Sequence, residues 1–490
     1  MKILLISPPF NRLKGIRHYH FPLGLGYIAA TFANKQHEVR IYDAELPQKG
    51  EEVRPLDKVS LLDTHKNFTQ SLKERNHPVW REVYNTLNYY QPDVVGITVF
   101  TPLYGSANKV TTICKRINNK CIVVWGGPHP TFLAEEVLQK EKSVDFVVRG
   151  EGEVTFRELV RHLANGKQAF HEIDGLSYRA NGKIRHNKTR DLIKNLDELP
   201  FPRGDLMIND ISDNRMFNNI IGSRGCPYNC AYCSSTQFWN QWIRFRSVPN
   251  IINEITHLKR NYNVTELEFW DDNFTLNKKW TTELCENIIS AKMSLSWWCN
   301  TRADLIDEKI LTIMKKAGCT SINIGVETGS ERTLSYLNRQ LSLKDIYKAS
   351  DLLQKCNMDW HAYFMLGFPY ETVEDIEQTR RLMHNLSASH ITLSIFNPYP
   401  ESQLFEVCKK EGLIPENPEW SQFSHQSPEN HFVKNISKVE FKNIVREIVD
   451  ECDRINKSFN KKIYRLILKR QYYIRHPGAL CRKIKRLISA

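Results

Sequence analysis

The sequence predicts an α/β protein with a doubly wound parallel sheet, then a partial (β/α)6 barrel, then a helical C-terminal region. Two observations lead to this fold class. Short apolar runs alternate with helical patterns in two series, one on each side of residues 166–217, and such alternation is typical of parallel sheets with crossover helices. The length of 490 residues also exceeds what one ordinary core accommodates. We predict domains at 1–165, 218–408 and 409–490, with 166–217 as a linker.

The first series predicts the doubly wound sheet. Such a sheet binds its ligand beyond the carboxyl ends of its strands. The loop after the fourth run holds Gly126, Gly127, His129 and Thr131, and glycines there let the backbone approach a ligand closely. The chain has no Gly-x-Gly-x-x-Gly after the first strand and no phosphate loop, which disfavours a nucleotide. The five predicted strands are Ile3–Ser7, Val39–Tyr42, Val94–Val99, Ile122–Trp125 and Phe146–Val148.

The second series predicts the barrel, in which chemistry takes place at the carboxyl ends of the strands. Helical patterns separate its apolar runs, notably at Pro249–Arg260, Lys278–Ala291 and Glu308–Ala317. The six predicted strands are Asn219–Gly222, Glu266–Trp270, Leu295–Cys299, Ser321–Val326, His361–Leu366 and Ile391–Phe396.

Composition indicates a cytoplasmic protein. No apolar run approaches the roughly 18 residues that span a bilayer, and the short apolar start predicts a buried strand rather than a signal peptide. The 12 cysteines are unevenly spaced, unlike a secreted disulfide framework, so a reducing compartment fits better.

The net charge of +13 is concentrated in the C-terminal tail. From Arg454 to Ala490 there are 12 Lys or Arg and no acid, and the rest of the chain is nearly neutral. Basic residues alternate there with Ile and Leu at helical spacing, which predicts peripheral contact with an anionic membrane. A helix packed on the barrel with a solvated basic face is the equal alternative. We expect no nucleic-acid partner.

Three cysteines form the most specific motif of the sequence. They lie in Gly222-Ser-Arg-Gly-Cys226-Pro-Tyr-Asn-Cys230-Ala-Tyr-Cys233, just after the first predicted barrel strand. Thiolates are the usual ligands of iron–sulfur clusters, and three of them on four irons leave one iron open to another ligand. A zinc site requires a fourth Cys or His nearby, and the next is His257.

This spacing, with Tyr232 before the third cysteine, resembles the radical S-adenosylmethionine (SAM) superfamily. The resemblance implies a 4Fe–4S cluster on Cys226, Cys230 and Cys233. It also implies that SAM binds the open iron and is cleaved to methionine and a 5′-deoxyadenosyl radical.

Polar strand ends further along the chain are similar to those of the superfamily. They are Glu268-Phe-Trp-Asp-Asp-Asn-Phe274, Asn300-Thr-Arg-Ala-Asp304, Gly325-Val-Glu-Thr-Gly329 and Met365-Leu-Gly-Phe-Pro369. The resemblance implies that Arg302 pairs with the SAM carboxylate and that Glu327 or Asp272 receives its amino or ribose hydroxyl groups. Ordinary strand ends and helix caps are the alternative.

The first domain resembles the flavodoxin-like cobalamin-binding domain of one branch of radical SAM proteins. The motifs that carry the resemblance are Pro22-Leu-Gly-Leu-Gly26, Trp125-Gly-Gly-Pro-His-Pro-Thr131 and Arg149-Gly-Glu-Gly-Glu153. The Asp-x-His-x-x-Gly of better-known cobalamin domains is absent, and the spacing of His18 and His20 differs from it. We therefore expect cobalamin without a protein histidine on the metal, and His129 beside the corrin or its tail.

The resemblance implies a C-methyltransferase that acts at an unactivated carbon of a small-molecule or lipid-like substrate. The 5′-deoxyadenosyl radical would activate the substrate, methylcobalamin would supply the methyl group, and a flavodoxin or ferredoxin would supply electrons. A radical oxidative cyclase resembling the anaerobic magnesium-protoporphyrin monoester cyclase is the close alternative.

Two rivals come from other classes. A tRNA methylthiotransferase requires a second set of cluster cysteines in front, where only Cys114 and Cys121 occur. A non-catalytic cobalamin-binding regulator does not need the three-cysteine motif.

Overall fold

A computed structural model of the protein describes residues 1–17, 20–32, 36–48, 51, 53–54, 61–211, 214–425, 427 and 429–458. The chain divides into two compact units, and each crosses the predicted domain boundaries. The first unit comprises Met1–Phe217, Tyr232–Asn240 and Asn397–Asn430. The second comprises Asn218–Ala231, Gln241–Phe396 and His431–Ala490.

The first unit contains a seven-stranded sheet with the order β2-β1-β3-β4-β5-β6-β7. The first five strands are parallel, and the order 2-1-3-4-5 is that of a flavodoxin-like doubly wound fold. All five predicted strands are therefore confirmed. The strands of this sheet are β1 Lys2–Ser7, β2 Glu38–Asp43, β3 Val94–Thr98, β4 Ile122–Gly126, β5 Phe146–Val148, β6 Leu176–Ala180 and β7 Lys183–His186.

Helices cover this sheet and form its core with the strands. Buried apolar side chains include Val83 and Leu87 from one helix and Val110 from another, packed against Val95 and Ile97 of β3. Amphipathic periodicity selects these faces. The helices of the first 165 residues are α1 Leu23–Ala30, α2 Leu61–Lys73, α3 Pro78–Tyr90, α4 Tyr104–Ile117, α5 Pro128–Phe132, α6 Ala134–Lys140 and α7 Gly152–Ala164.

Part of 166–217, a stretch that we expected to be a linker, extends the first sheet. Strand β6 pairs antiparallel with β5, and β7 pairs antiparallel with β6. The Glu151 carboxylate, at the start of α7, also accepts a hydrogen bond from the Ile193 backbone N–H at 2.7 Å. The physical reason is that β5 has only three residues and leaves an open edge, which the hairpin β6–β7 covers.

The second unit contains a six-stranded parallel sheet with the order β15-β14-β13-β12-β11-β8. All six predicted barrel strands are present, and the order is that of a partial barrel whose strands follow one another. They are β8 Asn219–Ile220, β11 Glu266–Phe269, β12 Ser296–Thr301, β13 Cys319–Glu327, β14 Asp359–Leu366 and β15 His390–Ile395; a separate antiparallel pair consists of β9 Ser223–Arg224 and β10 Arg244–Phe245.

Helices follow the barrel strands, and side-chain caps mark where several of them begin. Asp307 accepts a hydrogen bond from the Ile310 N–H, and Ser342 and Thr372 each form a capping box. The remaining α-helices of the described residues are α8 Ser235–Phe238, α9 Val248–Tyr262, α10 Lys278–Ser290, α11 Glu308–Lys316, α12 Glu331–Tyr336, α13 Leu343–Lys355, α14 Val373–Asn385, α15 Gln403–Lys410 and α16 Lys438–Lys457.

The C-terminal region is less helical than expected over its described part. Helix α16 is preceded by irregular chain with one short turn, Trp420–Gln422. In the second unit, Asn456 of α16 exchanges two hydrogen bonds with the backbone of Ile391 on the edge strand β15, each of 2.8 Å. The basic tail beyond residue 458 lies outside the described residues. Among the helices described, none combines the length and apolar character that crossing a membrane requires.

Candidate active site

The cysteine motif is a loop between β9 and β10. Gly225, just before Cys226, has φ +106°, and a Cβ atom there would lie 2.0 Å from the Trp242 carbonyl oxygen. Both the backbone conformation and the space therefore require glycine at this position. The antiparallel pair of β9 with β10 closes the loop at its base.

Asp271 attaches the start of this loop to the barrel. It follows β11 and is 1% exposed, and its carboxylate accepts hydrogen bonds from the Gly222 N–H at 3.0 Å and from the Ser223 hydroxyl. Burial raises the pKa of Asp271 to about 6. Its neighbour Asp272, the predicted SAM ligand, is exposed.

Side chains of the second unit donate hydrogen bonds to the first two cysteine sulfurs. Asn273 Nδ2 lies 3.2 Å from Cys226 Sγ, and Arg339 Nη1 lies 3.5 Å from Cys230 Sγ. Cys230 is buried and Cys226 half-buried, and burial raises the pKa of the Cys226 thiol. Cys233 is also half-buried, in the stretch that packs with the first unit.

Arg302 is held by protein oxygens rather than presented to a ligand. It is 1% exposed, and Asp304, the Arg339 carbonyl and the Gln340 carbonyl accept hydrogen bonds from four of its five N–H groups at 3.0–3.1 Å. Its guanidinium lies 3.7 Å from the ring centroid of Tyr228, inside the cysteine loop. Arg302 therefore links that loop to residues 339–340.

Glu327 ends β13 in a strained conformation. Its φ is +68°, which is unusual for a residue with a side chain. The carboxylate lies 3.3 Å from Arg339 Nη2. A Cβ atom at Gly325 would lie 2.5 Å from Glu327 Oε1 and 2.7 Å from Arg339 Nη2, so Gly325 makes room for this ion pair. Of the three predicted SAM ligands, Arg302 and Glu327 thus meet around Arg339.

In the first unit, Gly127 and Thr131 join neighbouring strand ends. Gly127 has φ +104°, and a Cβ atom there would lie 3.0 Å from the Val99 carbonyl oxygen. The Thr131 hydroxyl donates to the Gly127 carbonyl at 2.7 Å and accepts from the Gly150 N–H at 3.0 Å. Gly126 is half-buried, and a Cβ atom there would meet only ordinary contacts.

His129 is enclosed within the first unit. It is 1% exposed, its Nδ1 lies 3.2 Å from the Thr101 hydroxyl, and its ring contacts Tyr104 and Trp420 at centroid distances of 5.1 and 5.2 Å. Burial lowers its pKa to about 3, so the imidazole is neutral, and Nε2 has no partner among the described residues.

His18 and His20 are the two other histidines that the sequence analysis considered as ligands of the cobalamin metal. His20 is half-buried and His18 lies outside the described residues.

The residues present fit the expected cofactors in different ways. The cysteine loop provides thiol sulfurs, the usual ligands of iron–sulfur clusters, and N–H donors lie beside two of them. Among the described residues, no three Cys, His, Asp or Glu side chains lie close enough together to hold a single metal ion. At the front sheet, Gly150 has open space beside its Cα and Phe100 is 52% exposed. An apolar macrocycle can pack on such surfaces.

Sequence reasoning missed Asn273, Arg339 and Asp271. Asn273 and Asp271 lie in the Glu268–Phe274 motif. The motif itself is a signal for both residues, because all of its polar positions follow the same strand end. Arg339 lies between α12 and α13, where no pattern marks it. Only the fold brings it to Cys230.

Comparisons with known proteins match both halves of the chain. The radical SAM superfamily matches residues 220–383, and the B12 binding domain matches residues 14–160. The first match includes the cysteine loop and the first five barrel strands. The second ends shortly after the Arg149–Glu153 motif.

Whole relatives agree with the domain matches. An uncharacterized methyltransferase of Pyrococcus horikoshii is 34% identical over 421 residues, which are 84% of each chain. The anaerobic magnesium-protoporphyrin IX monomethyl ester cyclase of Rubrivivax gelatinosus is 30% identical over 334 residues, 66% of this chain and 60% of that protein. The radical SAM methyltransferase TsrM of Kitasatospora setae, solved with cobalamin and a 4Fe–4S cluster, shares the fold with a TM-score of 0.66 at 14% identity, over 93% of this chain and 88% of that one.

Proposed function

Because this chain belongs to the family of radical SAM enzymes with an N-terminal B12-binding domain, we propose that it methylates an unactivated carbon of a small molecule. It is an enzyme whose cofactors are a 4Fe–4S cluster, SAM and cobalamin. One observation carries the proposal: similarity to a methyltransferase extends over 84% of both chains. When bound, the cluster and SAM supply a carbon-centred radical, and cobalamin supplies the methyl group.

The proposed residue roles follow the geometry of each unit. Cys226, Cys230 and Cys233 hold the cluster. Asp272 is exposed and Glu327 carries an ion pair, and both carboxylates bind the amino or ribose groups of SAM. Arg302, with most of its donors engaged, keeps Tyr228 and the loop in place rather than binding the SAM carboxylate.

In the front domain, Gly126, Gly127 and Thr131 form the edge against which the corrin lies. Support comes from the hydrogen bonds that fix this edge without a charged side chain. His129 contributes by packing beneath that edge, since its ring is almost fully enclosed.

The barrel interior favours a polar substrate over a lipid-like one. Along β12, β14 and β15 one row of side chains is buried and mostly apolar, while the alternate row is largely half-buried and polar. Asn323 donates to Asn300 at 3.1 Å, and Glu268 accepts from Asn218 at 2.9 Å. Further members of the half-buried row are Trp298, His361, Tyr363, Thr392 and Ser394. A substrate with several hydrogen-bonding groups fits such a surface.

The test is product analysis after anaerobic reconstitution. The enzyme is incubated with methyl-labelled SAM, a low-potential reductant and candidate polar metabolites, and products are analysed by mass spectrometry. The proposal predicts a labelled methyl group on carbon, together with S-adenosylhomocysteine and 5′-deoxyadenosine. Label on oxygen or nitrogen, or none in any product, contradicts it.

Radical oxidative cyclisation is the second candidate function. The similarity to the Rubrivivax gelatinosus cyclase favours it. It predicts 5′-deoxyadenosine without S-adenosylhomocysteine, because no methyl group leaves SAM, so the same reaction mixture separates the two functions.

A radical SAM enzyme needs a reductant, and we propose a flavodoxin or ferredoxin for this one.

We also propose that the 12 basic residues after Asp453 attach the protein to anionic membranes. Because Asn456 anchors β15, the truncation that tests this ends at Ser458 and removes ten of the 12 basic residues. It should lose binding to anionic liposomes at low salt and keep its cluster; full-length protein that ignores such liposomes contradicts the membrane proposal.

A further inference from the structure

Two buried N–H donors are directed at cysteine sulfurs in the second unit. Asn273 is 4% exposed and lies just after β11, with Nδ2 at 3.2 Å from Cys226 Sγ. Arg339 is 7% exposed and lies between α12 and α13, with Nη1 at 3.5 Å from Cys230 Sγ. The two donors come from separate parts of the chain. Cys226 receives a hydrogen bond from one of them, and Cys230 receives a hydrogen bond from the other.

Arg339 is fixed in this position by the residues around it. Its Nη2 donates to the Gly325 carbonyl at 2.8 Å and pairs with Glu327 at 3.3 Å. Its own carbonyl accepts from Arg302 at 3.0 Å. The guanidinium therefore cannot turn away from Cys230 without breaking several bonds.

Backbone contacts also hold the Arg339 loop against the cysteine loop. The Ala231 N–H donates to the Leu337 carbonyl at 2.9 Å, and Asn338 Nδ2 donates to the Asn229 carbonyl at 2.8 Å. These two bonds flank Cys230. The distance between Arg339 and the sulfur is thus set by main-chain atoms as well as by side chains.

We propose that Asn273 and Arg339 set the reduction potential of the cluster through the sulfurs of Cys226 and Cys230. The inference rests on the proposed function, in which these cysteines hold the cluster. Reduction by one electron from a low-potential donor adds negative charge to the cluster and its thiolates. N–H donors and a guanidinium stabilise that charge, so both residues raise the potential. They are positioning residues, since they act through the cysteines.

The experiment is a redox titration of the anaerobically reconstituted full-length enzyme, followed by electron paramagnetic resonance of the reduced cluster. Iron and sulfide contents are measured for every sample. At the wild-type midpoint potential, Arg339→Met should lower the ratio of reduced to oxidised cluster about tenfold, equivalent to about 59 mV for one electron. Asn273→Leu should lower it about threefold, because it removes a neutral donor only.

Two further variants keep the test decisive. Arg339→Gln keeps an N–H donor without the charge, so it should fall between Arg339→Met and wild type, and it replaces Arg339→Met where that variant loses its cluster. Arg332→Met is the matched control. Arg332 also lies in the 331–340 segment, but it pairs with Asp375 and its side chain is 58% exposed, so its removal should leave the potential unchanged.

The possible failures are distinguishable. Full cluster content with an unchanged or more positive potential in the Arg339 and Asn273 variants overturns the inference, as does loss of cluster content with no change of potential in the clusters that remain. Either result leaves the proposed function intact. Full cluster content in a variant that lacks all three cysteines instead overturns the proposed function itself.

Discussion

The two parallel sheets present their carboxyl ends in different ways. In the second unit, charged side chains lie at the cysteine motif: Asp271, Arg302 and Arg339 contact it, and Glu327 pairs with Arg339. In the first unit, backbone groups and one hydroxyl form the edge, and the histidine there is enclosed and neutral. One edge is suited to a charged cluster and zwitterionic SAM, the other to a large ligand recognised by shape.

The carboxyl ends of the strands are the ligand-binding edge of both α/β sheets, yet that position alone does not determine which chemistry takes place there. Charged and amide side chains lie beside the thiols at one edge, whereas glycine-bearing loops at the other leave room for a flat molecule.

Removing the thiols should abolish one cofactor and spare the other. Replacement of Cys226, Cys230 and Cys233 by Ala should eliminate the visible absorption of the cluster and reductive SAM cleavage, because no other ligands replace the thiolates. Cobalamin binding should remain. The control Cys356→Ala removes a half-buried thiol at the end of α13 and should change neither.

One glycine at each edge should affect only its own cofactor. Gly225→Ala clashes with the Trp242 carbonyl and should reduce iron content by more than half. Gly127→Ala places a Cβ atom 3.0 Å from the Val99 carbonyl oxygen. It should weaken cobalamin binding and leave the iron content unchanged. The control is Gly182→Ala in the hairpin β6–β7, which has φ +73° but open space and should cost only about 1 kcal/mol of stability. Equal loss of both cofactors in either site variant contradicts the separation.

The barrel edge should also make stability depend on pH. Glu371 is 1% exposed and accepts hydrogen bonds from the Gly367 and Phe368 N–H groups, and burial raises its pKa from 4.5 to about 8. The folded state therefore holds a proton that the unfolded state releases, so this contribution is complete below pH 4.5 and is lost as the pH rises to about 8, at up to about 1.4 kcal/mol per pH unit.

Glu371→Gln should flatten this dependence. Anaerobic thermal unfolding of the holoenzyme between pH 5 and 8 measures it, with the more exposed Glu374 on α14, changed to Gln, as control. A wild-type profile as flat as that of Glu371→Gln shows that the carboxyl is ionised throughout.

The smallest effect is expected at His129. The Co(II) form of the bound cobalamin should lack the splitting that a nitrogen ligand produces, and His129→Phe should give the same spectrum, because the imidazole is enclosed by Tyr104 and Trp420. Loss of its bond to Thr101 should cost about 1 kcal/mol. Nitrogen splitting that disappears in His129→Phe would show that the histidine reaches the metal.

Much of the fold could be predicted from the sequence. The apolar runs identified all eleven parallel strands, since buried strands need continuous apolar residues. The hairpin β6–β7 was not predicted, because its first strand is short and its second is exposed and polar, with Lys183 and Arg185. Its role as an edge cover depends on the shortness of β5.

The candidate site was predictable where covalent chemistry fixes spacing, as in the three cysteines. The partners of the long side chains in the candidate site could not be predicted, because each such side chain can reach several acceptors. The sequence predicts that the Arg302 guanidinium is available to a ligand at the end of its strand. In the structure it donates hydrogen bonds to the carboxylate of Asp304, two residues further along. Arg339 is remote from Cys230 in sequence, and only the packing of α12 and α13 brings them together.

The central claim is that this enzyme moves a methyl group with a cobalamin bound at one edge and a cluster at the other. The most direct measurement is the yield of S-adenosylhomocysteine and of 5′-deoxyadenosine from methyl-labelled SAM, with reconstituted enzyme that contains one cluster and one cobalamin. Both should form, with the methyl label recovered on the corrinoid as the donor and, where the substrate is present, on a carbon of the product. Formation of 5′-deoxyadenosine alone, with cobalamin bound and unlabelled, contradicts methyl transfer.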